Sequence, residues 1–145
     1  MQNYLRAILV ATTLNVVVVS DAIAENLKLA PDFVFDFTVR FFMAEQVIKY
    51  CDEIVENPAA AKAALDAFKV QQANYGEGAS MGSSVLNQQI FNDRIRAIME
   101  ENGGPFMFDP ERHCEYGFDQ IEAGTEIGKL LQERPPTFFE RLFGK

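Results

Sequence analysis

Two cysteines, a single histidine and no apolar run long enough to cross a bilayer are what this chain has little of, and each shortage removes a class of chemistry. A zinc site needs three or four convergent ligands; with Cys51 and Cys114 paired, His113 has no partners left to build one. No C-x-x-C motif occurs, which removes the usual redox dithiol. A second histidine is lacking, and with it H-E-x-x-H. No glycine-rich loop follows a strand-like segment, so phosphate binding of that kind lacks its context. Neither a catalytic set, a cofactor site nor a metal site is expected. His113 reads as a solvated residue in the first turn of a helix.

Positive charge is also in short supply. The net charge of −8 argues against nucleic acid or an anionic membrane surface as the principal partner. A basic partner is compatible with it. Hydrophobic residues make up 48% of the chain, which is ordinary for a folded domain and excludes wholesale disorder.

The N-terminal segment has a basic residue, Arg6, then an apolar stretch Ala7–Val19, then Ala22-Ile23-Ala24. That order reads as a secretory signal with an A-x-A cleavage site, so residues 1–24 form a signal peptide and the mature chain starts at Glu25. The stretch falls short of the roughly 20 residues a spanning helix needs. An uncleaved anchor is the alternative. Export places the two cysteines in an oxidising compartment, where a lone pair becomes a disulfide. The periplasm, or the periplasmic side of a membrane, is the expected location.

The mature chain reads as one all-α domain over 25–134, followed by an amphipathic tail, 135–145. Helical spacing runs from Phe33 to Val55 in two adjoining apolar stripes, one through Phe37, Phe41, Ala44, Ile48, Cys51 and Val55, the other through Phe35, Val39, Met43, Val47, Tyr50 and Ile54. Asn57-Pro58 caps and opens a second helix that closes at Gly76. A third starts at Ser80 or Ser83 and ends at Gly103-Gly104-Pro105, with Leu86 or Val85, Ile90, Phe91, Ile95, Ile98 and Met99 inward. Asp109-Pro110 opens a fourth that runs to about Gln132. No six-residue run alternates with period two, so no strands are needed: the predicted architecture is a small bundle of about four helices.

The run from His113 to Leu131 contains Cys114, Gly124, Glu126-Ile127-Gly128 and Leu130-Leu131. It resembles the closing motif of a family of small exported alphaproteobacterial proteins known only as a domain of unknown function. An upstream stretch, Ala44 to Cys51, is similar to that family's first cysteine motif with its basic residue displaced. The resemblance covers roughly 41–131. It implies export, helices and a Cys51–Cys114 bond, and it implies no activity.

Two surfaces are candidates for contact. Gly117, Gly124 and Gly128, with Ile121, fall at i, i+7, i+11 and i+4 of the fourth helix, and each glycine costs about 1 kcal/mol against alanine inside a helix. Such a strip either packs against the first or third helix or receives a partner helix. The second surface is the tail, where Phe138, Phe139, Leu142 and Phe143 follow Pro135-Pro136. A helix of two turns does not hold itself together in water, so the tail folds back or docks on a protein or a membrane interface. Asp119, Glu122 and Glu126 read as a solvated stripe. The leading expectation is an exported non-enzymatic protein working through protein–protein contact, as an accessory subunit of an envelope complex. The alternatives are a small-molecule or lipid carrier, with the thirteen phenylalanines lining a cavity, and an acid-responsive chaperone or inhibitor.

Overall fold

Pro31 and Asp32 open the first helix as the sequence predicts: proline fixes an extended entry (φ −67°, ψ 153°) and the carboxylate sits at the positive end. The computed structural model describes residues 29–76, 79–82, 84–104, 109–137 and 141. The expected signal peptide lies outside the described residues, as do Phe138, Phe139, Leu142 and Phe143. Helix α1 spans Asp32–Tyr50, α2 Pro58–Tyr75, α3 Val85–Glu101 and α4 Pro110–Ala123. A 3-10 turn covers Gly128–Leu130, and two short strands, β1 (Ile54–Glu56) and β2 (Leu131–Glu133), complete the order. The fold is an all-α bundle with a small two-stranded sheet.

Helix α1 is the centre of the bundle. Of its two apolar stripes, one is buried at Phe35, Val39, Met43 and Val47 and half-buried at Tyr50. The other is half-buried at Phe37, Phe41 and Ile48 and buried at Ala44 and Cys51. Met43, Val47 and Ile54 meet Ile95 and Met99 of α3, Tyr116 of α4, and Ile127, Leu130 and Leu131 beyond it. Each large side chain so buried contributes about 1.5–3 kcal/mol. A smaller cluster forms at the other end of α1, around Ala30, Val34 and Phe35.

The first helix is shorter than its periodicity. It stops at Tyr50, where Cys51 turns extended (φ −123°, ψ 104°) while its N–H still donates to the Val47 carbonyl at 2.8 Å. Ile54–Glu56 then pairs antiparallel with Leu131–Glu133, Ile54 opposite Glu133 and Glu56 opposite Leu131. The ladder extends at both ends, through Asn57 N–H to Leu130 O (2.8 Å) and Arg134 N–H to Glu53 O (2.7 Å). The fourth helix is shorter too, ending at Ala123 because Gly124 takes a left-handed conformation (φ 59°, ψ 32°) that few residues other than glycine adopt readily.

Both cap-then-proline signals are real. Asn57 Oδ1 accepts from the Ala60 N–H at 3.2 Å and Asp109 Oδ1 from the Arg112 N–H at 3.3 Å. Cys51 and Cys114 are bonded, 63 residues apart with Cα atoms 5.0 Å apart, tying the end of α1 to the first turns of α4. That tie explains why His113 is buried rather than solvated. Its ring lies 4.8 Å from that of Tyr50, and its Nδ1 is 2.7 Å from the Asp109 carbonyl oxygen. On α3, Ile95 and Met99 are buried and Val85 is exposed, leaving Leu86 as the inward choice. Asn87, beside it, is buried because it accepts from the Ala30 N–H (3.1 Å) and donates to the Met81 carbonyl (2.5 Å).

Candidate functional site

Two clefts open on the surface of the bundle, and they share two residues, Arg40 and Glu126. The larger, about 510 Å³, lies between α1 and α3; Val39, Ala97 and Ile98 supply its apolar lining, and Asp36, Arg40, Arg94 and Glu126 the charged groups. The smaller, about 230 Å³, lies between α1, α2 and the 3-10 turn, lined by Phe41, Ala60, Ala63, Ala64, Leu130 and Lys129 as well as the shared pair. Arg40 Nη1 donates to Glu126 Oε2 at 3.1 Å, so this ion pair stands where the two clefts adjoin.

Each member of the pair is set by its local sequence. Asp36 and Arg40 are one helical turn apart on α1, beside its buried stripe, whose Val39 lines the same cleft, and Arg40 Nε donates to the Asp36 carbonyl at 3.0 Å. Glu126 sits in the turn after α4. There Thr125 Oγ1 donates to Gln120 Oε1 (2.7 Å) and accepts from the Gly128 N–H (3.0 Å), while Lys129 N–H donates to the Thr125 carbonyl (2.9 Å). Buried Ile127, Leu130 and Leu131 anchor the turn from below. Gly128 fits because a Cβ there would collide with the Gln120 carbonyl. The stretch Gly124–Leu131 is therefore the segment that holds Glu126 toward Arg40.

Two further cations border the clefts. Lys129 Nζ donates to Glu126 Oε1, so the one carboxylate receives both Lys129 and Arg40. Lys129 first, by its hydrogen bond and charge, and then Arg40 hold the Glu126 carboxyl below its ordinary range. Arg94 is occupied differently. It bonds Asp36 through Nη1 and Asp32 through Nη2 (2.6 Å), and its guanidinium lies 5.1 Å from the centre of the Phe35 ring. It braces α3 against the first turns of α1.

The residues singled out from sequence are distributed otherwise. Cys51 and Cys114 form the bond already described. With Glu53 they are a group of potential metal ligands within 4.8 Å of one another, but the joined sulfurs offer no thiolate. The glycine strip does not exist as a helical face. Gly117 lies within α4, Gly124 is its cap and Gly128 belongs to the 3-10 turn, because the helix ends nine residues before Gln132. Asp119, Glu122 and Glu126 are exposed as expected, although Glu126 is off the helix. Gly78-Ala79-Ser80-Met81-Gly82 spells G-x-S-x-G, a motif the sequence reading passed over. It follows a helix instead of a strand, so it lacks the nucleophile-elbow context.

Sequence reasoning missed Arg40 and Arg94. The Asp36/Arg40 spacing of one helical turn was the available signal; the pairing with Glu126, 86 residues away, was not. Among the described residues, neither cleft is lined by a serine, threonine, cysteine or histidine. No protein family, curated protein or solved structure matches the chain.

Proposed function

We propose that this is an exported, non-enzymatic binding protein that holds a small, partly apolar ligand in the paired clefts. The observation that carries the reading is the meeting of two apolar clefts at one arginine. Their volumes are about 510 and 230 Å³, and the larger falls within the roughly 300–1,000 Å³ typical of small-molecule sites. Such sites combine an apolar lining with a few placed polar groups, the mixture found here.

Export is supported by the signal-like N-terminus and by the disulfide. Among the described residues no helix is long and apolar enough to cross a membrane. The described phenylalanines mostly stack on one another or on the core, as with Phe37 on Phe68 (centroids 4.0 Å) and Phe42 on Phe91 (5.5 Å). Phe41 alone of them borders one of these two clefts. The carrier reading thus rests on the aliphatic clefts and not on a phenylalanine-lined cavity.

Native mass spectrometry of the chain purified with its disulfide intact tests the proposal. A bound small molecule should be retained by the wild type. Ala97→Trp, which plugs the larger cleft from an exposed position, should release it without altering the far-ultraviolet circular dichroism. Retention in the Trp variant would place the ligand elsewhere and remove this reading.

A further inference from the structure

We infer that the ligand is an anionic amphiphile of the fatty-acid type, whose carboxylate takes the place of Glu126 on Arg40 while its chain lies along the larger cleft. The inference rests on the binding reading above and specifies its chemistry. Glu126 shows where a carboxylate fits: one oxygen receives Arg40 Nη1 at 3.1 Å and the other receives Lys129 Nζ. A carboxylate of the chain itself thus occupies the point at which the two apolar linings meet. Charge-assisted hydrogen bonds to a guanidinium and an ammonium are the interactions that an incoming carboxylate would reproduce.

Exchange of one carboxylate for another is open on energetic grounds. The side chains of Arg40 and Glu126 are 33% and 59% exposed, so their pairing is largely screened by solvent and weak. The turn that carries Glu126 is closed by its own bonds, Gly128 N–H to Thr125 Oγ1 and Lys129 N–H to the Thr125 carbonyl, so it does not depend on the Arg40–Glu126 pair alone. Arg94 does not compete for the ligand, because Asp32 and Asp36 already engage it. Those same bonds balance the Asp36 carboxylate, which would otherwise repel an anion in the larger cleft. Beyond the head group, Val39, Ala97 and Ile98 offer aliphatic contact to a hydrocarbon chain.

Dodecanoate and dodecanol, each below its aggregation concentration, are the probes, titrated calorimetrically into the disulfide-bonded chain and its variants. Dodecanoate should bind at least tenfold more tightly than dodecanol. Arg40→Gln should abolish that preference and Arg40→Lys should retain part of it. Glu126→Gln, which removes the competing charge, should tighten dodecanoate severalfold and leave dodecanol unchanged. A purely structural role for the pair would instead make Arg40→Gln and Glu126→Gln weaken both probes alike, which would overturn the inference. Equal binding of the two probes to the wild type would overturn it too, while leaving the cleft as a site for neutral ligands. Failure of both probes to bind would remove the inference, and retention of a different molecule by the wild type, released by Ala97→Trp, would show that the cleft reading survives without it.

Discussion

A Cβ added to Gly117 would stand 2.5 Å from Cγ1 of Val47, so α4 lies against α1 at a spacing only glycine permits. Ile54 Cδ1 closes the same space from β1 at 2.6 Å. Both neighbours are buried to 1% exposure or less, so any shift must be taken up inside the core. Gly117→Ala should therefore destabilise the protein. Overpacking costs about 1–3 kcal/mol, against which the gain in helix propensity returns about 1 kcal/mol. Urea unfolding at neutral pH measures the balance; a variant as stable as the wild type would show that the helices can part locally.

The Cys51–Cys114 bond closes a 63-residue separation, for which chain-entropy reasoning gives a stabilisation on the order of 4 kcal/mol. It also fixes the register between the end of α1 and the start of α4. Replacing both cysteines by serine should lower the urea midpoint by a large fraction of a small domain's stability. Unchanged unfolding on addition of a reducing agent, with reduction verified by mass, would contradict this.

The parts of this fold legible in the sequence are those written in local chemistry. Asn57-Pro58 and Asp109-Pro110 announced their helices because a side-chain cap and a fixed φ act within three residues. The buried stripe Phe35–Val39–Met43–Val47 was legible from its period. The ends of α1 and α4 were not. At Cys51 no breaker stands in the sequence; the turn is imposed by the disulfide and by pairing with residues 131–133, too short a strand for alternation to register. At Gly124 the signal was present, but three glycines at helical spacing suggested a face and hid a cap. The candidate site was hidden for a related reason, since Arg40 and Glu126 meet only through tertiary structure, while Glu126 looked like one exposed acid among many.

The tail residues Phe138, Phe139, Leu142 and Phe143 carry the other expectation, contact with a protein or a membrane interface. Changing all four to serine should release any such partner from detergent-solubilised envelopes while leaving dodecanoate binding in the clefts unaltered. Loss of both together would mean that the tail supports the domain itself.

Tyr116 is buried at 4% exposure, and burial pushes its phenol up to about 12 from an ordinary 10. The neutral phenol is favoured in the folded state. Its contribution to stability is complete below pH 10 and is lost as pH rises from 10 through about 12. An absorbance titration at the tyrosinate band should show a late-ionising step from Tyr116, together with loss of helical circular dichroism. Tyr116→Phe should remove that late step; persistence of the step would assign it to another tyrosine.

Acid should act on the opposite side, through Glu126. Its carboxyl is held below the ordinary 4.5 by Lys129 and then by Arg40, so the folded state prefers the ionised form. That contribution is present above about pH 4.5 and is lost as pH falls through the folded-state value. Its exposed position keeps the effect small. Asp66 has the same sign through Lys62, but that pair lies within one turn of α2, whereas Arg40–Glu126 joins α1 to the turn after α4. Wild type and Glu126→Gln should thus differ in unfolding midpoint at pH 7 and converge at low pH. A pH-independent difference would mean that the glutamine acts through packing and that the carboxylate charge has no part in holding the turn.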